Sequence, residues 1–570
     1  MSHVVVPMSD EGISLDALTY RRALRLPRWG VWTFSLAIVL TYSCLLGGYG
    51  LGEPDEPRYA EIPREMIELG DWATPHLNYV KYFEKPPFVY WLTAINFTVF
   101  GTSEFVARLW PALFGLIGIV MVQRLGRSMY GVWTGYAAAA VLAASPFYFG
   151  LSQILILDMP LTALMTLALG AFWFAYRGVR HRWALVLLLY AATACAVLTK
   201  GPVAALLNGG IIVAFLVLRS EWSALRWLLS PLAIVLFVVI TLPWFMLVSQ
   251  RNPEFLNFFI VDQHLRRFLS PNEHQQGPWF FIPIVWGGML PWSGFVLFAP
   301  SLLRQFVARL LQRRVSPATL FCVVWSGVIF AFFSLSGSKL ATYILPMFCP
   351  LAILAARFFQ RVLEEGQVQV LVRGCVALLI LAILAALGGA VAGAVVDLPQ
   401  AGLIVPRTYL GACIVAGFAG TALVLVRRQA CQASFVALLL GMLALQAVAI
   451  SGREVVPQYR ALGMAIRQQA QPQDQVILYN HYVQGIPFYA ERRVVVVGGR
   501  GELDFGSHQG DQSAFFWNSD QSLLDAWQSP RRVFLVIDRL ELDPLRPRLD
   551  PAPRQIAAKG KKVVIVNFAR

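Results

Sequence analysis

Runs of roughly 20 apolar residues, the length that a helix needs to cross a bilayer, recur along most of this chain. The 570-residue sequence is 57% hydrophobic and only 14% charged, whereas a soluble domain has about 25% charged and at most about 50% apolar residues. This composition excludes a soluble enzyme, a disordered protein and a fibrous protein. It predicts an all-α polytopic membrane protein.

Thirteen runs are interpreted as membrane spans, and a further run at about 86–101 is ambiguous. That run begins with Pro86 and Pro87 and holds only about 16 residues, which is short for a span. The thirteen predicted spans are residues 30–51, 107–126, 131–151, 154–176, 183–199, 202–218, 227–249, 279–301, 317–336, 340–357, 371–394, 408–426 and 432–451.

Arginine positions decide the orientation, because cytoplasmic loops carry an excess of Lys and Arg. If 86–101 does not cross, the N-terminus and nearly every Arg-rich connection lie on the cytoplasmic side; if it crosses, these clusters move outside. We therefore predict an interfacial helix on the outer surface at 86–101. About 28 mixed residues precede the first run, so we expect no cleavable signal peptide. The arginines concerned are Arg21, Arg22, Arg25, Arg28, Arg124, Arg127, Arg177, Arg180, Arg182, Arg219, Arg226, Arg304, Arg309, Arg313, Arg314, Arg357, Arg361, Arg373, Arg427 and Arg428.

This topology divides the chain into a membrane domain, residues 1–451, and an external C-terminal domain, residues 452–570. The membrane domain has two large external loops, at about 52–106 and 250–278. The C-terminal domain alternates Val-rich runs with helix-like stretches, which is typical of a small α/β domain. Its predicted strands are Val476–Tyr479, Arg493–Val497, Val533–Ile537 and Val563–Val566. Much of the net charge of +15 is orientation signal, so no nucleic-acid partner is expected.

The first external loop carries a dense group of carboxylates where the first span emerges. Glu53, Asp55 and Glu56 lie within four positions and are followed by Pro57 and by a predicted helix from Arg58 to Leu69. Pro57 suits the first position of that helix. N-capping and solubility are the alternative explanation, but the cluster is denser than a cap needs.

Several other charged residues remain on the outer side. Glu84 and Lys85 precede the two prolines, and an ordinary interfacial pair is their alternative role. Asp158 is the only acidic residue inside any predicted span, where an ionisable group is costly unless it is partnered or functional. Lys200 and Lys339 lie in tight Gly-containing turns beside the bilayer, either as an anion site or as contacts to lipid headgroups.

The second external loop adds basic groups and a candidate metal ligand. Arg266 and Arg267 follow His264, and Tyr343 lies one helical turn after Lys339. A divalent ion held by Glu84 and His264 is one interpretation; packing of the loop is the other for His264.

Outside the cytoplasmic membrane there is no nucleotide pool, so the energy for a transfer reaction must come with the substrate. Carboxylates ringed by Lys and Arg suit a substrate with a phosphate head and a lipid tail, because the cations hold the phosphate and stabilise it as it leaves. This indicates transfer of a group from a polyprenyl phosphate, without a nucleotide cofactor.

The motifs Glu53–Met66, Asp71-Trp72, Pro75–Leu77 and Tyr82–Pro87, with the later Leu157–Pro160, Thr199–Pro202 and Ser338-Lys339, resemble those of bacterial GT-C glycosyltransferases. The similarity is greatest to the lipid A aminoarabinose transferases, relatives of the protein O-mannosyltransferases. The resemblance implies about thirteen spans in the bacterial inner membrane, a cytoplasmic N-terminus, and a periplasmic active site and C-terminal domain. It implies transfer of 4-amino-4-deoxy-L-arabinose from undecaprenyl phosphate to a lipid A phosphate, which confers resistance to polymyxin and cationic peptides.

The resemblance also implies roles for individual residues. Asp55 and Asp158 would be the catalytic acids, with Asp55 orienting a substrate more than abstracting a proton, because a lipid A phosphate is already ionised. Tyr59 and Tyr82 would bind substrate, and Glu84 with His264 would hold zinc or a similar ion. Donor-phosphate ligands would be Arg58, Lys85, Lys200, Arg266, Arg267, Lys339 and Tyr343.

Two other functions are compatible with a chain of this kind. The first is another GT-C enzyme, a protein O-mannosyltransferase or an oligosaccharyltransferase, although the Trp-Trp-Asp-Tyr-Gly motif of the latter does not occur. The second is a transporter or lipid flippase, which would usually bring repeats and charged residues near the bilayer midplane. The sequence contains no oligomerisation signal, so a monomer surrounded by membrane lipids is expected.

Overall fold

The computed structural model describes residues 28–266, 275–395 and 401–568. Within these ranges nine helices are long and apolar enough to cross a membrane, which confirms the predicted helical, multi-pass architecture. They are Glu104–Tyr130, Asp158–Tyr176, Arg182–Lys200, Pro231–Arg251, Pro317–Leu335, Ala341–Glu364, Val368–Val391, Ile404–Arg427 and Cys431–Ser451.

Four predicted spans are shorter or interrupted. The run 131–151 consists of Val132–Ala143 and Pro146–Ser152, which meet at 66°. A proline lacks the N–H that would continue the first helix, so the second begins at Pro146. The run 279–301 is divided into Phe281–Gly288 and Trp292–Val296 on either side of Pro291. The helices Arg28–Ser43 and Val203–Arg219 account for the other two runs, and the count of thirteen spans stays a prediction.

The ambiguous run at 86–101 forms the helix Phe88–Phe100, whose 13 residues are fewer than the roughly 20 that a span requires. One face, including Tyr90 and Phe97, is buried against the first loop and the helix Glu104–Tyr130. Its predicted position in the interface is compatible with this length and stays a prediction. The remaining helical segments of the membrane part are Leu225–Leu228, Asn257–Arg266 (a π-helix) and Pro300–Leu311.

The first external loop is an ordered unit built from a helix and a hairpin. The helix runs from Asp55 to Leu69, three residues longer than predicted, with Pro57 as its third residue. Proline is tolerated there because the first four N–H groups of a helix have no intrahelical partner. The strands β1 (His76–Leu77) and β2 (Val80–Lys81) follow, joined by Asn78 and Tyr79 with positive φ values of 52° and 61°. This is the left-handed backbone that two-residue hairpins require.

The predicted C-terminal α/β domain is present and contains a six-stranded sheet in the order β5-β4-β3-β6-β8-β7. The strands β3, β4, β5 and β6 are parallel, and β7 and β8 are antiparallel. The four predicted strands correspond to β3, β4, β6 and β8. Their Val-rich runs are buried on both faces, as is usual for a covered parallel sheet. The strands are β3 Gln475–Tyr479, β4 Val495–Val497, β5 Phe516–Trp517, β6 Val533–Asp538, β7 Arg554–Lys559 and β8 Lys562–Val566; the helices are Arg460–Gln469, Gly485–Ala490, Asp504–Ser507, Asp520–Gln528 and Arg539–Leu545.

The C-terminal domain is docked on the first external loop through buried polar contacts. The Asn78 amide donates to the Val494 carbonyl at 2.9 Å and accepts from the Val494 N–H at 2.9 Å. The Tyr489 hydroxyl accepts from the Leu51 N–H at 2.7 Å. These contacts place the C-terminal domain over the N-terminus of the helix Asp55–Leu69.

Candidate active site

The first turn of the helix Asp55–Leu69 pairs an acid with a base. Asp55 and Arg58 lie three residues apart, on one face of the helix, and their side chains form an ion pair. The guanidinium of Arg58 forms a second ion pair with Glu502 of the C-terminal domain. The Arg58 side chain is only 6% exposed, whereas that of Asp55 is 52% exposed. A buried cation is therefore held between two carboxylates, one from each domain.

Tyrosine rings surround this cation. The Arg58 guanidinium lies 4.7 Å from the ring centroid of Tyr59, and the Tyr59 ring is 6.1 Å from that of Tyr90. Among the described residues, the buried hydroxyls of Tyr82 and Tyr90 and the Nε of Arg58 have no hydrogen-bond partner. Buried polar atoms are nearly always paired, so these three atoms mark a place where a polar ligand fits.

The ionisation of these groups follows from burial and from their neighbours. Burial by itself lowers the pKa of Arg58, but its neighbours raise it well above its ordinary value; they are Tyr82, Tyr59, Asp55 and Glu84. Burial raises the pKa of the Tyr82 phenol, so that its hydroxyl is a neutral hydrogen-bond donor. The surroundings of Arg58 therefore combine one permanent positive charge with neutral donors.

A second ion pair joins the outer ends of two neighbouring helices. Asp158 is the first residue of the helix Asp158–Tyr176, and Lys200 is the last residue of Arg182–Lys200. Their side chains form a largely buried ion pair, which suits an acid at a helix N-terminus and a base at a C-terminus. The sequence prediction placed Asp158 about one turn into its helix; the structure places it at the first position. The Lys200 ammonium lies 4.4 Å from the ring centroid of Tyr343.

Groups from both ion pairs act on Tyr59. Burial is the main cause that raises the pKa of the Tyr59 phenol. Arg58 opposes this effect, whereas the carboxylates Asp55, Glu84 and Asp158 add to it. All four charged groups are therefore close enough to act on one ring, although they come from three separate segments.

Glu84 and Lys85 lie between β2 and the helix Phe88–Phe100 and are both mostly buried. The Lys85 ammonium donates to the Glu84 carbonyl oxygen at 3.0 Å and lies 3.8 Å from the Glu84 carboxylate. The predicted charged pair is therefore present and is part of the surroundings of Arg58.

His264 is positioned as a metal ligand would be. Its Nδ1 lies 2.6 Å from the Phe259 carbonyl oxygen, which only accepts, so Nδ1 carries the proton and Nε2 is left with a lone pair. Metal-binding histidines usually donate their other N–H to a carbonyl or carboxylate in this way. The Nε2 atom faces Gly201, where a Cβ would come within 2.4 Å of it. Because Gly201, next to Lys200, has no Cβ, the imidazole of His264 can pack beside it.

Arg266 and Lys339, two other predicted phosphate ligands, have different surroundings. Arg266 forms an ion pair with Asp262 and its side chain is 72% exposed. Lys339 is buried and donates to the carbonyls of Gln276, at 2.9 Å, and Ser336. Arg267 lies outside the described residues. Phosphate binding by these residues stays a prediction.

The structure distinguishes the three clustered acids of the first loop. Glu53 accepts hydrogen bonds from the backbone N–H groups of Gly485, at 2.6 Å, and Gln484, at 3.2 Å, and so fastens the C-terminal domain. Glu56 binds the fully buried Arg108 through both carboxylate oxygens, at 2.7 and 2.9 Å. Only Asp55 is left with a half-exposed carboxylate at the site.

Two functional candidates, Glu502 and Arg108, were not identified from the sequence. Glu502 pairs with Arg58 across 444 positions, and its other oxygen accepts from the Gln484 amide at 3.1 Å. Arg108 also donates to the carbonyls of Leu46, Tyr49 and Gly50, which holds the chain leaving the first span. An arginine in a predicted span is a signal for Arg108, whereas Glu502 has no local signal.

Comparison with known proteins gives matches in both domains. Residues 34–259 match the family model described as dolichyl-phosphate-mannose-protein mannosyltransferase. Residues 462–567 match the model described as aminoarabinose transferase C-terminal domain. The chain is 30% identical to undecaprenyl phosphate-alpha-4-amino-4-deoxy-L-arabinose arabinosyl transferase 1 of Sodalis glossinidius, over 92% of this chain and 96% of that protein.

A transferase with the same descriptive name from Edwardsiella ictaluri is 32% identical, over 62% of this chain and 63% of its own length. That alignment spans less than two thirds of the relative. The crystal structure of ArnT from Cupriavidus metallidurans bound to undecaprenyl phosphate superposes with a TM-score of 0.84 and 30% identity. The superposition covers 95% of this chain and 99% of that one.

Proposed function

Because the chain belongs to the family of the undecaprenyl phosphate-alpha-4-amino-4-deoxy-L-arabinose arabinosyl transferases, we propose that it is a lipid-linked-sugar-dependent glycosyltransferase. It moves 4-amino-4-deoxy-L-arabinose from undecaprenyl phosphate to a phosphate of lipid A. It acts in the bacterial inner membrane, with the N-terminus in the cytoplasm and the active site and the C-terminal domain in the periplasm. It is expected to act as a monomer surrounded by membrane lipids.

The observation that carries this proposal is that the pair Asp55–Arg58 and the carboxylate of Asp158, which is paired with Lys200, all act on Tyr59. Lys200 is the last residue of the apolar helix Arg182–Lys200, where a phosphate head would sit if its lipid tail followed the membrane. Each cation is also paired with a carboxylate that a phosphate group can displace or share. The site is thus suited to a phosphate that is anchored by a lipid.

The reaction requires one bond to form and one to break. A phosphate oxygen of the acceptor attacks the anomeric carbon of the sugar, and the bond from that carbon to the donor phosphate oxygen breaks. Undecaprenyl phosphate leaves with the bonding electron pair and one more negative charge. Arg58 and Lys200 stabilise that charge, which is the main catalytic contribution of fixed cations in a buried site.

No strong general base is needed, because the acceptor phosphate is ionised at neutral pH. The half-exposed Asp55 carboxylate therefore orients a substrate, and the sugar amine is the group that it binds best. The neutral Tyr82 hydroxyl is buried and has no partner among the described residues. It donates a hydrogen bond to an oxygen of the lipid-linked sugar substrate. Lys85 adds positive charge beside Glu84.

We further propose that Glu84 and His264 hold a divalent ion of the zinc type. The hydrogen bond from Nδ1 of His264 to the Phe259 carbonyl, which leaves Nε2 unprotonated, supports this role. When bound, the ion would supply additional positive charge for the phosphates. The protein residues already described bind and orient both substrates.

Mass spectrometry of lipid A tests the function directly. Lipid A from cells that express the chain should gain the mass of the aminosugar, and cells with Asp55→Asn or Asp158→Asn should lose that product. Asp525→Asn, an exposed carboxylate of the C-terminal domain, is the matched control and should keep full activity. Unmodified lipid A in cells with well-expressed wild-type protein would refute the proposal.

A further inference from the structure

A second set of metal-binding side chains lies in the C-terminal domain. It lies where the order of the sheet reverses: β3 pairs with β4 on one side and with β6 on the other, all in parallel. Ligands of open parallel sheets bind outside the carboxyl ends of the strands at such a reversal. His481 follows β3, Asp538 ends β6, and Glu541 lies in the first turn of the helix Arg539–Leu545.

The three side chains are close enough for one ion. Each offers one ligand atom, and these atoms all lie within 4.8 Å of one another. Zinc binds imidazole nitrogen and carboxylate oxygen at about 2.0–2.2 Å, which places two ligand atoms on one ion up to about 4 Å apart. Small side-chain rotations are therefore sufficient to bring the three atoms onto a single ion.

The carboxylates are held as metal ligands usually are. One oxygen of each has a protein partner: Asp538 Oδ2 accepts from the Lys562 ammonium at 3.1 Å, and Glu541 Oε1 accepts from the Asn480 amide at 2.9 Å. The second oxygens, Asp538 Oδ1 and Glu541 Oε2, are inaccessible to water and have no hydrogen-bond partner among the described residues. Two adjacent buried carboxylate oxygens without donors are costly unless a cation lies between them.

We propose that His481, Asp538 and Glu541 bind a divalent transition-metal ion, with zinc as the best match to one imidazole and two carboxylates. Lys562 and Asn480 orient the two carboxylates from behind, as outer partners do in metal sites. His481 is exposed, so that the ion can enter from solvent. The ion joins β3 to β6 and to the following helix. This site is separate from the metal site proposed at Glu84 and His264, and the two have no residue in common.

Zinc binding to the full-length protein in detergent tests this proposal. Bound metal is removed with a chelator and the protein is dialysed against buffered zinc. Elemental mass spectrometry then measures the number of zinc ions bound per chain. His481→Ala and Glu541→Gln are each introduced into two parent proteins, the wild type and the Glu84→Gln/His264→Ala variant. Each resulting protein is compared with its own parent. We expect each variant to bind one zinc fewer than its parent, with affinity at this site lowered more than about 100-fold, since even outer partners contribute roughly 10- to 100-fold.

His508→Ala is the matched control, because His508 is an exposed histidine of the same domain beside Asp504 and should not change the stoichiometry. In the Glu84→Gln/His264→Ala background, zinc should also raise the thermal unfolding temperature of the parent and not that of the protein with the additional change His481→Ala. His481 is on the surface, so this variant is expected to fold normally, which circular dichroism verifies. Equal zinc stoichiometry in the parent, His481→Ala and Glu541→Gln would overturn the proposal, whatever the transferase activity.

Discussion

Arg58 in the first external loop and Glu502 in the C-terminal domain form an ion pair although they are 444 positions apart. The C-terminal domain thereby reaches the cation that we assign to the donor phosphate. Glu502 is a competitor for that cation, because a bound phosphate needs the same guanidinium. If Arg58 binds the donor phosphate, as we propose, the C-terminal domain contributes Glu502 to the substrate site.

Glu502→Gln should strengthen the binding of undecaprenyl phosphate. The substitution removes a negative charge beside Arg58 but keeps the amide contact to Gln484. A partly exposed pair contributes about 1 kcal/mol or less, so we expect up to roughly a fivefold lower dissociation constant for the purified protein. Asp504→Asn, in the same domain with an exposed side chain, is the control. Weaker binding would mean instead that Glu502 positions Arg58 for the phosphate.

Lys200→Gln should reduce transfer strongly. The amide keeps the size of the side chain near Asp158 but removes the positive charge that stabilises the leaving phosphate. The loss of one such electrostatic contact typically costs about 100- to 1,000-fold in kcat, which a transfer assay with purified substrates measures. Lys559→Gln removes an exposed lysine of the C-terminal domain and should have no effect. Near-normal turnover in Lys200→Gln would exclude Lys200 from the site.

The neighbouring acids Asp55 and Glu56 should respond differently to the same change. Glu56→Gln leaves Arg108 buried without its counter-charge, and breaking a buried pair costs about 3–5 kcal/mol. We expect its thermal unfolding temperature to fall clearly. Asp55→Asn, at a half-exposed position, should unfold at the wild-type temperature while losing activity. Equal stability of the two variants would contradict the roles assigned to these residues.

Tyr82→Phe should separate binding from stability. Removing a buried hydroxyl that has no partner among the described residues should leave the free energy of unfolding unchanged or slightly higher, because no hydrogen bond is lost. Transfer should slow by roughly tenfold, because the variant loses about one hydrogen bond to an oxygen of the lipid-linked sugar substrate. Full activity of this variant would remove Tyr82 from the donor site.

The contact between Glu53 and the C-terminal domain should depend on pH. Burial raises the pKa of Glu53 to about 7 from its ordinary value of 4.5, against the lowering effect of the N–H groups of Gly485 and Gln484. The folded protein therefore binds the proton more tightly than the unfolded chain, so this contribution is fully present below about pH 4.5 and is lost as the pH rises through about 7.

Thermal unfolding of the wild type and of Glu53→Gln between pH 5 and 8 measures this effect. The wild type should lose stability relative to the variant as the pH rises across that range, because the amide side chain of the variant does not titrate. A constant difference between the two proteins across the range would contradict the raised pKa of Glu53.

Much of the fold was predictable because its signals are local. The apolar runs of the membrane part and the Val-rich strands of the C-terminal domain were identified, and the predicted family is confirmed by the relatives that match most of the chain. The strands β5 and β7 were missed, since Phe516–Trp517 is very short and Arg554–Lys559 is a polar edge strand without alternating apolar residues. Of the four other spans, 131–151 and 279–301 contain breaks that a simple hydropathy average does not detect, and Arg28–Ser43 and Val203–Arg219 are short but continuous helices.

The candidate site was predictable only in part. Asp55, Arg58, Asp158 and Lys200 were recognised as outward-facing charges. The structure brings the first three close to Tyr59 and pairs Lys200 with Asp158. The different roles of Glu53, Asp55 and Glu56 were not predictable, because each role depends on a partner in another segment. The same is true of Glu502 and of the cluster formed by His481, Asp538 and Glu541.

The sequence by itself determined the long apolar helices of the membrane part and four of the six strands of the C-terminal sheet, because the transfer of apolar side chains from water is a sum over neighbouring residues. Only the tertiary structure decided which charges meet. The pairs Arg58–Glu502 and Asp158–Lys200 join residues 444 and 42 positions apart, and an ion pair acts over a few ångströms, whatever the separation along the chain. The way the C-terminal domain packs on the first loop therefore sets the chemistry of the site.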